Sequence, residues 1–322
     1  MKQLFLILEI IIAEFSFAQD CTPELLLQKP GTWKAGIQGS IQGVSTADLV
    51  KEKSVLAVIY KMVNTNYSPK GCQVLYSNAY SKYPSAGDVW IADPYHYTMY
   101  ILPFLCDNKS TDISKYTVAI ASGTNVTISA NEISWLNMFA ATIHDEFRGY
   151  YKLLDRPVKK DGYYYFGKDK VDPVQDLVEY QWLITYNDTL PFTYLSRKEY
   201  LHIQQKRLEK SIKESPGEKE YYQQFFDKIN EYLTRPEDEL NQTAICMWSD
   251  EERFNGFVPE GTKGSFIAVK PNLNYYKKLP MSSPQFFTVV YTVSQGEPVF
   301  DENIAAIKEA VDFGKLKSML GK

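Results

Sequence analysis

Histidine is scarce in this chain: His96, His144 and His202 are all it has in 322 residues. Cysteine is nearly as rare. Cys21, Cys72, Cys106 and Cys246 lie far apart, and none has the CxxC spacing of a zinc or redox site. Nucleophile frames are missing too, since Ser40 lacks a GxSxG surround and no Ser-x-x-Lys motif stands out. Gly36, Gly39 and Gly43 are not a phosphate-cradling loop, because no strand leads into them and no Lys-Ser/Thr follows. Positive charge is not in excess. With 35 Lys and Arg against 39 Asp and Glu the net charge is −4, and no basic stripe offsets it, which argues against a nucleic-acid partner. Beyond the first eighteen residues no run is long and apolar enough to cross a bilayer.

What the chain does have begins with Met1–Ala18, which reads as a signal peptide. Lys2 is its positive end, Leu4–Phe17 its apolar stretch, and Ser16 and Ala18 its small residues at the cleavage site. Glu9 and Glu14 interrupt the apolar stretch, and its shortness argues against a membrane anchor. Asp20 stands where a lipoprotein needs a small residue before Cys21. The expected product is a secreted or periplasmic protein starting near Gln19. Removing the leader's net −1 (Lys2, Glu9, Glu14) leaves it at −3. In an oxidising compartment one disulfide among Cys21, Cys72 and Cys106 is expected, with Cys246 a buried free thiol in the apolar run Ala244–Trp248.

The clearest local structure is Leu177–Leu201. Val178, Tyr180, Trp182 and Ile184 alternate with Glu179, Gln181, Leu183 and Thr185, the period-2 pattern of a strand. After a turn with Pro191, Ser196-Arg197-Lys198-Glu199 reads as a capping box starting a helix at Arg197, with Leu195 and Tyr200 as its staple. That helix is expected to run to Glu214, break at Ser215-Pro216-Gly217, and pair with a second helix over Glu218–Leu233 as an antiparallel hairpin. Upstream, Cys21–Ser45 reads as a loop and Thr46–Val63 as a helix with Leu49, Leu56, Ile59 and Val63 in its stripe. Strands are expected at Cys72–Tyr76 and Tyr95–Ile101, and Tyr116–Ile120 reads as a hairpin with Val126–Ile128. A helix is expected over Asn131–Phe147, and Tyr163–Phe166 as a strand beside Leu177–Ile184. Further strands fall near Ala244–Trp248, Ser265–Val269 and Gln285–Val293, before a terminal helix from Glu302 interrupted at Gly314. Elements in runs rather than strict alternation predict an α+β fold, mostly antiparallel sheet packed by amphipathic helices, with a helical hairpin in the second half. The division expected is 1–18 as leader, 19–190 as an N-terminal α+β region and 191–322 as a C-terminal helical hairpin with strands and a terminal helix, the two halves either sharing one core or forming separate subdomains.

Two sets of residues compete for function. The first is catalytic: Asp93, His96, His144 and Glu146, suited to a hydrolase or metal-dependent enzyme if they converge. His144-Asp145-Glu146 lacks the second histidine of HExxH, with Arg148 and Gly149 there instead, and helical spacing turns the carboxylates away from His144. The second is aromatic. With 24 tyrosines and 14% aromatic residues, Tyr95, Tyr97, Tyr163, Tyr165, Tyr180 and Trp182 are candidates for a stacking surface, against the alternative that they are core. No cofactor or metal set is indicated.

The segment LPFTYLSRKEYL (Leu190–Leu201), taken with the export signal, resembles a group of uncharacterised secreted proteins of Bacteroidetes-type bacteria. They share a strand, an LPFT-like turn and a TRKEYL- or SRKEYL-like helix start. The distinctive likeness covers Trp182–Leu201, with a looser one around Pro271–Tyr291. It implies an envelope or secreted location and carries over no activity or functional residue. The reading favoured by the sequence is non-catalytic binding of a small molecule, a glycan or an envelope protein. The alternatives are the histidine-based enzyme and a structural envelope component.

Overall fold

The computed structural model describes residues 21–82, 92–107, 112–133, 138–140, 150–172, 177–250 and 253–322. Thr22 caps α1 (Pro23–Leu27), its hydroxyl accepting from the Leu25 N–H with Pro23 at the first helical position. Two short strands, β1 (Thr32–Ala35) and β2 (Ile41–Gln42), follow, so the segment expected as a loop carries three small elements. Ser45 then caps α2 (Thr46–Asn66). β3 (Cys72–Ser81), β4 (Tyr95–Cys106), β5 (Tyr116–Val118) and β6 (Asn125–Ala130) build most of a first sheet. The chain crosses to a second sheet for β7 (Met138–Ala140) and β8 (Tyr151–Leu153). It returns for β9 (Val158–Lys160), β10 (Tyr163–Asp172) and β11 (Leu177–Ile184), and crosses again at β12 (Phe192–Tyr194). Next come α3 (Arg197–Glu214), α4 (Lys219–Leu233) and α5 (Glu237–Leu240), with β13 (Ile245–Met247) and β14 (Ser265–Pro271) in the second sheet. β15 (Phe287–Ser294) lies in the first, and α6 (Pro298–Ala310) and α7 (Phe313–Met319) close the chain.

The first sheet runs β1-β3-β4-β6-β15-β11-β10-β9, and the second β12-β14-β8-β7 with β13 beside β14. Pairing is antiparallel except where β1 and β2 join β3. The protein is α+β, with its large antiparallel sheet packed by helices. Three apolar cores make it four layers. α2, α6 and α7 cover one face of the first sheet through Leu56, Ile59, Val63, Ile304, Ile307 and Leu316. The other face meets the second sheet across Leu183, Phe166, Leu153, Ile267 and Val269. The second sheet's far side packs on α3 and α4 through Phe266, Ala268, Tyr200, Leu208 and Ile229. Within β14 the two cores alternate residue by residue, as the strand's period requires.

The capping box forms as the sequence predicts. Ser196 Oγ accepts from the Glu199 N–H at 3.2 Å and Glu199 Oε2 accepts from the Ser196 N–H at 2.9 Å, with Leu195 and Tyr200 both buried. The disulfide is Cys21–Cys106, joining the start of α1 to the end of β4 across 85 residues. Cys72 and Cys246 are buried free thiols.

Three expectations are corrected. β5 pairs with Phe104–Cys106 of β4, while β6 pairs with Tyr95–Tyr100 of the same strand, so β5 and β6 form no hairpin with each other. The helix expected over Asn131–Phe147 is not what the described part forms, because Met138–Ala140 is a strand paired with β8. Asn131 itself sits at φ 59, in the left-handed region that asparagine tolerates. Its amide donates to the carbonyls of Asp93 and Ser283, and its Oδ1 accepts from the Gln285 N–H at 2.7 Å, which locks a turn where the start of a helix was expected. The terminal helix breaks at Val311-Asp312 rather than at Gly314, and Asp312 caps the last segment by accepting from the Lys315 N–H.

Candidate functional site

The face of the first sheet that carries Tyr97 also carries Trp182 and Tyr165. Register pairs Tyr97 with Ile128, Ile128 with Val289, Val289 with Trp182 and Trp182 with Tyr165, so the row lies on one side. What separates these aromatics is the helical layer above them. At the β4 end α2 covers the sheet completely. Tyr95 and Tyr97 have no exposure there. Tyr95 donates to the Ser282 carbonyl, and Tyr97 packs between Tyr60 and Tyr76. These two are core.

At the β10–β11 end the cover is partial. Tyr163, Tyr165, Tyr180 and Trp182 remain half-buried and line a cleft of about 360 Å³ floored by Tyr291. Four of the six aromatic candidates therefore meet in one place. The local sequence explains how. Asp161 and Gly162 both have positive φ, as the two-residue turn between β9 and β10 requires, and the turn sets Lys160 opposite Tyr163. Tyr163 and Tyr165 then share a face two residues apart, and Tyr165 stacks obliquely on Trp182 with centroids 4.7 Å apart. Phe313, at the start of α7, meets Tyr163 and Trp182 edge-on at 5.1 and 5.4 Å. Packed in this way, the four rings stay half-buried.

Two lysines stand over this floor. Lys160 Nζ lies 5.1 Å from the Tyr165 ring and 5.6 Å from Trp182. Lys308 Nζ, from α6, lies 3.9 Å from Tyr180 and 5.4 Å from Tyr291. Desolvation beside the rings, followed by the neighbouring Lys160 charge, pulls Lys308 below the ordinary lysine range, while Asp301 opposes that shift. A concave, mostly aromatic wall with a few converging polar groups is the usual form of a small-molecule site.

Of the catalytic candidates, His96 and Asp93 are among the described residues. His96 points from β4 to the opposite face, in a row with Ser129, Thr288 and Leu183 that looks toward the second sheet. Burial lowers its pKa. Asp93 is buried, and its charge acts on Tyr95 and Glu52 on the α2 side. His144 and Glu146 lie outside the described residues. Among the described residues no three His, Cys, Asp or Glu side chains form a metal-ligating group.

Glu52 is the ionisable group that the sequence reading passed over. It occupies a position of the α2 stripe between Leu49 and Leu56, fully buried, and neither carboxylate oxygen has a hydrogen-bond partner among the described residues. Burial first, then the charges of Asp93 and Asp48, push its pKa up to about 8. A carboxyl inside an apolar stripe was the signal that marked it. Lys160 was readable in the same way from the Asp-Gly turn. Lys308 and Phe313 had no local signal, since the packing of α6 and α7 brings them over the sheet.

A larger cavity of about 1190 Å³ lies at the disulfide, lined by Leu26, Leu27, Phe104, Val299 and Phe300 with Glu24, Asp107 and Glu297. Cys21 and Asp107 of that lining adjoin segments outside the described residues. Two of its lining residues are aromatic, Phe104 and Phe300, against six in the smaller cleft, so the aromatic cleft is the better candidate. No protein-family model, no curated protein and no solved structure matches the chain.

Proposed function

We propose that this chain is an exported binding protein that holds a small ligand, non-catalytically, in the cleft between β10, β11 and the α6–α7 junction. The observation that carries this reading is the contrast along one sheet face. Tyr95 and Tyr97 are sealed under α2, whereas Tyr163, Tyr165, Tyr180 and Trp182 keep open ring area in a concave site. Rings left open in this way bind flat aromatic groups or the apolar faces of sugars by stacking and burial. Export is supported by the leader-like Met1–Ala18, by the resemblance of Leu190–Leu201 to secreted proteins, and by the disulfide, which suits an oxidising compartment.

The test is calorimetric titration of the folded protein with a panel of oligosaccharides and aryl glycosides, repeated on Trp182→Ala. Removing one stacking ring should weaken any ligand of this cleft by about tenfold. Binding that Trp182→Ala leaves unchanged would put the ligand elsewhere, and a panel without binders would remove the support for a stacking site.

A further inference from the structure

We propose that the ligand of this cleft carries a carboxylate, held between the ammonium groups of Lys160 and Lys308. The proposal rests on the reading of the cleft as a ligand site and adds the chemical class. Both ammonium groups sit over the same patch of rings, one from the β9 edge and one from α6, so they approach the opening from opposite sides. Neither forms an ion pair among the described residues, although other surface lysines such as Lys159 and Lys198 do. A ring face attracts a cation but cannot cancel its charge. The two charges also disfavour each other: after desolvation, the Lys160 charge is the second cause that lowers the Lys308 proton affinity, with Asp301 opposing it. Asp161 is the one acid among the described lining residues, and the chain as a whole is negative. Two cations over one aromatic floor in an acidic protein are an exception that an anion would satisfy. A carboxylate between the two lysines would offset their repulsion and gain charge-assisted hydrogen bonds, while the body of the ligand stacks on Trp182 and Tyr165.

A sugar acid and an aromatic acid share this chemistry, so the test uses one matched pair of each. Phenyl β-glucuronide is compared with phenyl β-glucoside, and 4-hydroxyphenylacetate with its amide, by calorimetry on the folded, disulfide-intact protein. In at least one pair the acid should bind about tenfold tighter than its neutral partner, and that pair identifies the body of the ligand. The preference should disappear in Lys160→Met/Lys308→Met, a change at two exposed positions that keeps the apolar stems. It should also shrink as salt rises from about 0.05 to about 0.5 M in the unmodified protein. Equal binding of acid and neutral partner in both pairs would overturn the proposal. If that binding still falls in Trp182→Ala, the cleft remains the site; if it does not, or if none of the four compounds binds, the cleft reading fails with it.

Discussion

Replacing Glu52 with glutamine should change how the protein's stability depends on pH, and the size of the change follows from the carboxyl's surroundings. The group is fully buried, lacks hydrogen-bond partners among the described residues, and has its pKa raised from an ordinary 4.5 to about 8. Its folded-state pKa lies above its unfolded one, so between those values the folded protein keeps a proton that the unfolded chain releases. Stability must then fall as pH rises from about 4.5 to about 8, and level off above it. At 1.36 kcal/mol per unit, the full shift corresponds to at most about 5 kcal/mol, and local relaxation in the folded state brings the expected loss nearer half of that. Glutamine keeps the shape and removes the titration. Its amide brings its own desolvation penalty of about 1–3 kcal/mol, which does not vary with pH. The readout is therefore the difference in slope rather than the absolute stability. In thermal scans at pH 5 and pH 8.5, Glu52→Gln should gain roughly 2–5 °C on the unmodified protein between the two conditions, at about 1–2 °C per kcal/mol for a chain of this size. Parallel pH profiles would refute the argument and mean that Glu52 is ionised and solvated in the folded state.

Three further outcomes test the scaffold. Breaking Cys21–Cys106 by Cys106→Ser should lower stability by about 2–5 kcal/mol, measured by urea unfolding against the oxidised protein, because the bond closes a long loop of the unfolded chain. Thiol titration should find no fast-reacting group in the native protein and two after unfolding without reductant, since burial pushes Cys72 up to about 12 and Cys246 is also enclosed. Ser196→Ala removes one half of the capping box and should destabilise the protein by about 1 kcal/mol, seen as a shifted midpoint with an unchanged denaturant slope.

How much of this was legible depended on the distance between cause and effect along the chain. The capping box at Ser196–Glu199 and the strand Leu177–Ile184 were readable because their determinants lie within a few residues of one another. The segment after Asn131 was misread as a helix because its turn is fixed by Asp93, Ser283 and Gln285, the last two more than 150 residues away. The break at Asp312 was misplaced by two residues, since a side-chain cap outweighed the flexibility of Gly314. The aromatic candidates were visible as a set, yet their division into core and cleft was not. Tyr95 and Tyr163 are both strand tyrosines of one sheet face, and only the placement of α2 against α6 and α7 distinguishes a sealed ring from an open one. Glu52 was legible in the α2 stripe as a charge among apolar neighbours, and the sequence reading gave it no weight.

The measurement that bears most directly on the cleft is fluorine NMR of protein labelled with 5-fluorotryptophan, which gives each of the five tryptophans its own signal. With the Trp182 resonance assigned from Trp182→Phe, the tightest compound of the panel is titrated in. The account predicts that the Trp182 signal shifts and saturates while those of Trp33, under α2, and Trp248, beside Phe266, stay in place. A saturable shift at another tryptophan with Trp182 unmoved would contradict it.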